Sequence, residues 1–372
     1  VLKVLLIYYE PIPAGQTTHV LALARGLKAR GHHITLVLPA DLQRSIERFE
    51  QANVDVVPLA LRKVTWHPRA VADLIRLIQR RDFDVVHVHS QEAGLLGRVV
   101  ASMAGSRSVV YTPQVVDIRR VRWHWLYVLI ERLLAQITDV IISVSESDRS
   151  RMIRWGIPSH RIATIPNGID LSAFEESVDV GGLRRAMGLE EGRFVVMQVG
   201  RLSPQKDPLA FVEGAALVAR ERPDAQFVLV GEGPLAGVVA ERAQVLGLDG
   251  SVCLSGWRDE AFRLMAGADV ISLTSRWEGM PHVLLEAMAC SRPVVSTAVN
   301  GCPEVVADGE TGFLVPPGDV GSWAERVVDL LNDPARGEEM GRRGRDRVEE
   351  QFSLQKMVTR IEDLYLRVAG AG

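Results

Sequence analysis

The stretch SRWEGMPHVLLEAMAC, residues 275–290, sets two glutamates on either side of a helix start. Pro281 suits the first helical position, where its missing N–H is no loss, and the apolar run from Val283 to Met288 carries the helix on. Glu278 then lies before the helix and Glu286 inside it, roughly one and a half turns along at about 1.5 Å per residue. The unpaired N–H groups between them, aided by the helix dipole, favour an anion, most naturally a phosphate. Carboxylates cannot bind that phosphate, but as acceptors they match hydroxyls on either side of it. A ligand that reads hydroxyls, phosphate, hydroxyls is a nucleotide sugar. Gly279, Met280, Pro281, His282, Val283 and Glu286 are the expected donor-binding residues here. A bare pair of glutamates at this spacing also arises on solvated helices, so the rest of the chain must agree.

Apolar runs such as FVVMQVG (194–200), FVLVG, VCLSG, DVISLTS, PVVSTA and GFLVP surround this stretch, and the first half has its own series in LKVLLIYY, HITLVLP, DVVHVH, SVVYTP and VIISVS. Such runs are continuous rather than alternating, which means strands buried on both faces, hence parallel sheets covered by helices. Gly31 is placed to close the first helix. The fold class expected is α/β, two doubly wound Rossmann-like domains. Their boundary falls near PNGIDLSAF (166–174), giving domains of 1–170 and 171–353.

Loops at the carboxyl ends of such strands bind ligands. GRLSPQKD (200–207) puts Arg201 and Lys206 there, two cations suited to a diphosphate and to stabilising its departure. EPIPAGQTTHV (10–20) joins the first strand to the first helix; Gly15 permits close backbone approach, and Gln16 follows it. In SGWRDE, Trp257 and Arg258 either bracket a nucleobase or fill a gap between helix and sheet. His87 and His89 alternate along a strand and are read as pointing to opposite faces, which argues against a shared metal. His89, nearer the strand end, is the acceptor-side candidate, with a structural role as its rival. Asp82 and Asp84 precede their strand and are assigned no metal.

The pattern of Glu278, Gly279 and Pro281 followed by VLLEAMA, which contains Glu286, resembles the family 4 retaining glycosyltransferases of the GT-B fold, and the resemblance covers nearly the whole chain. It implies that Arg201 and Lys206 hold the donor diphosphate, that Glu278 orients the sugar and that Glu286 holds the ribose. Arg201, Lys206 and Glu278 are thus the expected catalytic set. The last helix, 354–372, is expected to cross back to the first domain. Relatives often have two glycines where this chain has Ala14 and Gly15, and a histidine where it has Gln114. An amide can still bond a sugar hydroxyl but cannot transfer a proton, so Gln114 is a donor-binding candidate only. The activity implied is metal-independent transfer from a nucleotide sugar, most naturally a UDP-sugar, to a hydroxyl acceptor on a glycan, a lipid-linked molecule or a small molecule. A nucleotide-sugar epimerase, a phosphorylase of the same fold and a non-catalytic nucleotide-sugar binder are the alternatives. No cofactor and no nucleic-acid partner are expected.

At 372 residues and 47% hydrophobic content the chain can build two cores. Cys253, Cys290 and Cys302 form neither a zinc-like spacing nor an even set. The opening VLKVLLIYYE does not read as a signal peptide, so a cytoplasmic location is expected. The net charge of −3 hides a split: 22 Lys and Arg against 18 Asp and Glu in residues 1–180, and 21 against 28 in the remainder. In the basic half, RRVRWHWLYVLIERLLAQ (119–136) reads as a helix that meets a membrane interface, making a peripheral contact, or as an ordinary amphipathic helix packed on the sheet.

Overall fold

The computed structural model describes residues 1–9, 15–61, 68–116, 123–175, 179–258 and 261–370. The chain divides into two compact units, Val1–Gly168 with Leu354–Gly372, and Ile169–Ser353. The first holds seven strands: β1 Lys3–Tyr8, β2 His33–Pro39, β3 Asp55–Leu59, β4 Val85–His89, β5 Val109–Thr112, β6 Val140–Ser143 and β7 Ile162–Thr164. They pair in parallel in the order β3-β2-β1-β4-β5-β6-β7. The second holds β8 Phe194–Val199, β9 Ala225–Val230, β10 Val252–Gly256, β11 Val270–Leu273, β12 Val294–Thr297 and β13 Gly312–Val315, again parallel, in the order β10-β9-β8-β11-β12-β13.

Both units are therefore Rossmann-like, as the continuous apolar runs require: β4, β5, β9, β11 and β12 are buried along their whole length. Two outer strands escaped the sequence series. β3 contains Pro58, which cannot donate to a ladder and is tolerated at an edge, and β7 has only three residues. In each sheet the strand order reverses once, between β1 and β4 and between β8 and β11. The carboxyl ends on either side of such a reversal form the ligand-binding crevice of doubly wound sheets.

Helix Gly15–Ala29 closes at Gly31, whose φ of 87° lets its N–H reach Lys28 O at 2.9 Å while the His32 N–H reaches Leu27 O. The last helix, Leu354–Gly370, packs on it within the first unit. Met357, Val358, Ile361, Leu364 and Tyr365 are buried there, each worth about 1.5–3 kcal/mol if fully removed from water. Glu362 accepts from Arg30 at 2.5 Å and contacts His32 at 2.6 Å, which pins the same helix pair.

One local expectation is corrected. The helix after Glu278 runs His282–Ala289, and Pro281 is its N-cap, with ψ of 117°, not its first helical residue. Proline's φ suits both positions; the extended ψ places it outside the helix while its carbonyl already accepts from Leu284 N–H.

Candidate functional site

In the second unit the loops after β8, β9 and β11 are tied into one piece. Gly231, after β9, has φ of 137°, and a Cβ there would lie 2.2 Å from the Gly200 carbonyl oxygen. Only glycine allows this approach. Gly200 N–H in turn donates to Val230 O and Leu202 N–H to Glu232 O, both at 2.9 Å. Buried Gln198, the second-last residue of β8, accepts from Thr274 N–H and Oγ1 at 3.3 and 2.9 Å and donates to Lys206 O at 3.2 Å. Arg276 Nε donates to Asp207 at 2.6 Å, and Arg276 N–H to Gln205 O at 2.8 Å. The segment holding Arg201 and Lys206 is thereby locked to the segment that opens SRWEGMPH.

The outcome of that lock is an ion pair. Lys206 Nζ donates to Glu278 Oε1 at 2.6 Å, and Ser275 Oγ donates to the same oxygen at 2.6 Å. Glu278 is buried, and its own N–H donates to Asn300 Oδ1 at 3.3 Å. An ammonium has three donors, so Lys206 can hold Glu278 and still turn toward a phosphate. Glu286 lies one turn into the helix and makes no side-chain hydrogen bond or ion pair among the described residues. Burial pushes its carboxyl up to about 7, a rise that the Lys206 charge only partly offsets. Burial, with Lys206 adding to it, pushes His282 down to about 4, so its imidazole is neutral. Gly279, Met280, Pro281, His282 and Val283 form the entry to this helix, and Gly301 N–H holds Gly279 O at 3.0 Å.

Arg201 is half-buried directly after β8. Trp257 and Arg258 follow β10, at the sheet edge beyond β9; Trp257 N–H donates to Glu232 at 3.5 Å and Arg258 Nε to Ser255 Oγ at 3.1 Å. Trp257 is half-buried and Arg258 exposed. Sequence reasoning passed over Ser275, Asn300, Gln198 and Asp207. Ser275 stood inside the quoted stretch, three residues before Glu278. Asn300 had no local signal.

The remaining candidates belong to the first unit, at the carboxyl edge of its sheet. Gly15 begins its helix, Gln16 follows, His89 ends β4 and Gln114 lies just past β5 with φ of 67°. Residues 10–14, which include Ala14, lie outside the described residues. Buried Gln16 Oε1, Gln114 Nε2 and both ring nitrogens of His89 find no partner among the described residues. The reading of His87 and His89 is corrected: their rings stack with centroids 3.8 Å apart. Residues two apart on a strand share a face, because the side-chain period is two. His87 is spoken for, bonding Tyr365 OH at 2.5 Å and Thr112 Oγ1 at 2.7 Å. Burial lowers both histidines well below the ordinary value. Asp82 and Asp84 pair with Arg107, and no metal-ligating cluster occurs among the described residues.

A cavity of about 570 Å³ opens elsewhere, at the amino edge of the first sheet, among Lys3, Lys28, Asp55, Arg80 and Arg81. Lys28, Arg80 and Arg81 sit in the last turns of their helices, where the dipole favours cations, and Asp55 answers Arg81. Those charges are accounted for by the helices.

Comparison with known proteins identifies a glycosyltransferase that acts on a nucleotide-sugar donor. Residues 13–173 match the family described as Glycosyltransferase Family 4, and residues 182–347 match Glycosyl transferases group 1. The chain is 32% identical over 306 residues to the Escherichia coli UDP-Gal:alpha-D-GlcNAc-diphosphoundecaprenol alpha-1,3-galactosyltransferase, covering 80% of this chain and 79% of that enzyme. It is 29% identical to the N-acetyl-alpha-D-glucosaminyl L-malate synthase of Bacillus anthracis, over 93% and 92% of the two chains. The crystal structure of Anabaena HepE in complex with UDP-glucose has the same fold, with a TM-score of 0.87, 23% identity and coverage of 98% and 99%. The chain belongs to the glycosyltransferases of the GT-B fold.

Proposed function

We propose that this chain is a retaining glycosyltransferase that uses a UDP-sugar and passes the sugar to a hydroxyl on a lipid-linked glycosyl diphosphate. The observation that carries the reading is the Lys206–Glu278 pair at the entry to helix His282–Ala289, with the Glu286 carboxyl, unpaired among the described residues, one turn along. Arg201, Lys206 and the helix N-terminus meet the charge of the leaving diphosphate, so no metal is needed for that charge. Glu278 aims Lys206 and takes a sugar hydroxyl; Glu286 accepts from the ribose. The acceptor hydroxyl attacks the anomeric carbon from the face the diphosphate leaves, and a phosphate oxygen takes its proton. Gln114, His89 and Gln16 offer polar atoms that find no partner among the described residues, and these suit hydroxyls of a bound substrate. The choice of UDP is supported by the name of the E. coli relative and by the HepE complex, and the acceptor class by the former.

Titration with UDP, GDP and ADP and their common sugars, in EDTA, tests the donor. UDP and one UDP-sugar are expected to bind and the purine nucleotides not to. Proton NMR of the product then reads the anomer, and inversion at the anomeric carbon would remove the retaining reading.

A further inference from the structure

His87 and His89 stand at the carboxyl end of β4, wholly out of water, and the helix Leu354–Gly370 reaches them from the far end of the chain. Tyr365, also fully buried, sets its hydroxyl 2.5 Å from His87 Nδ1, a contact that spans 278 residues. That hydroxyl bonds nothing else among the described residues. The other nitrogen of the ring, Nε2, lies 2.7 Å from Thr112 Oγ1 at the end of β5. Burial, with His19 adding to it, lowers His87 well below the ordinary value, and burial raises the Tyr365 phenol well above its own. The ring is therefore neutral, with one N–H and one bare nitrogen, and each meets a hydroxyl, a group that can accept or donate as required. Held at both nitrogens, the ring cannot swing. His89 is in the reverse condition. Its ring lies on that of His87, with centroids 3.8 Å apart and 36° between the planes, and the His19 ring approaches it at 5.7 Å. Both of its nitrogens are buried and find no partner among the described residues. Buried polar groups are costly to leave unmet, and a neutral imidazole, donor at one nitrogen and acceptor at the other, matches a hydroxyl, which is both.

We infer that Tyr365 is a positioning residue: its hydroxyl holds the His87 ring, and the His87 ring, stacked on His89, sets the direction in which His89 meets a substrate hydroxyl. The contact of His89 with substrate rests on the transferase reading above; the hold of Tyr365 on His89 does not. A phenylalanine would fill the same space in the core, so packing alone does not call for the hydroxyl. Without it His87 keeps only Thr112 and pivots about that one bond, and the surface on which His89 rests moves with it. Polar groups in a site work when the residues behind them lock their rotamers, and a misplacement of about 1 Å costs up to about a hundredfold in rate. A tilt passed through one stacked ring is smaller, and a loss of about tenfold is expected.

Ring-nitrogen NMR of the full chain, isotope-labelled at histidine and free of nucleotide, tests the hold directly. The signals are assigned with His87→Asn and His89→Asn. Tyr365→Phe is expected to move the ring-nitrogen signals of both His87 and His89. Ile361→Val, which removes one methyl from the buried face of the same helix, should lower the melting temperature and leave the His89 signals in place. His89 signals that ignore Tyr365→Phe, or that move equally with Ile361→Val, overturn the inference. Turnover of UDP-glucose and UDP-galactose, with water as the acceptor, reads the consequence. Tyr365→Phe should lower it about tenfold at unchanged UDP affinity, and should add no loss in a His89→Asn background. A full further loss in that background also overturns the inference. If the wild type turns over neither sugar nucleotide, it is the donor reading that fails, and the NMR result still decides the role of Tyr365.

Discussion

Lys206 and Glu278, 72 residues apart in the chain, meet at 2.6 Å because β8 and β11 are neighbours at the point where the strand order reverses. Each strand delivers one partner in the loop that leaves its carboxyl end. The pair is close-held and largely out of water, so neither member is simple to remove.

Lys206→Ala leaves a buried carboxylate with one hydroxyl donor. The expected loss is about 2–4 kcal/mol of folding stability, at the lower end of the range for buried pairs because the lysine side chain keeps 19% of its exposure. Nucleotide affinity should fall at least about tenfold, the cost of one charge-assisted contact. Adding Glu278→Gln should recover part of the stability and none of the affinity. Urea melts and calorimetric titration of UDP read both, and additive losses in stability would show that the pair is not coupled.

Glu286 predicts a pH signature. Its carboxyl is held at about 7 in the folded chain against 4.5 ordinarily, so the folded state binds more protons between those values. The stability this group contributes is complete below about pH 4.5 and is lost as pH rises through 7. Glu286→Gln, neutral throughout, should match the wild type near pH 4 and exceed it at pH 8 by up to about 3 kcal/mol, while binding donor less well. Neutral His282 acts in the opposite direction, losing stability as pH falls from 6.5 toward 4, and is common to both proteins. Equal stabilities at pH 8 would mean that the carboxylate is well solvated.

Glu131→Gln should cost about 3 kcal/mol, because Arg98 is wholly buried and would keep its charge without a counter-charge. Helix His124–Leu134 should loosen first. Hydrogen exchange localises the effect, and protection in 124–134 that is unaltered would contradict it.

Gly231→Ala should be severe for so small a change. The backbone conformation is one that L-residues avoid, and the new methyl would press on the Gly200 carbonyl. Donor binding should drop more than stability, since the displaced loop is the one carrying Arg201. A variant with normal UDP affinity would show that the loop can yield.

Much of this architecture was legible in short stretches. Buried parallel strands announce themselves as unbroken apolar runs, and Gly31 announces itself as a helix end. Edge elements were the ones passed over, because β3 and β7 carry weak, short or proline-bearing patterns. The histidines of β4 show a different failure: strand alternation was visible in the sequence and its parity was misapplied, and the 3.8 Å stacking of His87 on His89 corrects it.

The sequence by itself determined the repeating strand and helix order, the spacing of Glu278 and Glu286 about a helix start, and the cations after β8. These are matters of local period and turn chemistry, which neighbouring residues decide. Only the tertiary structure decided that Ser275, Lys206 and Asn300 converge on Glu278, that Asn300 comes from 22 residues further on, and that Glu131 faces inward toward Arg98 while Leu129 and Leu133 beside it face water. Which side of a helix is buried, and which loops share a sheet edge, depend on how strands far apart in the chain are ordered, and no local stretch carries that order.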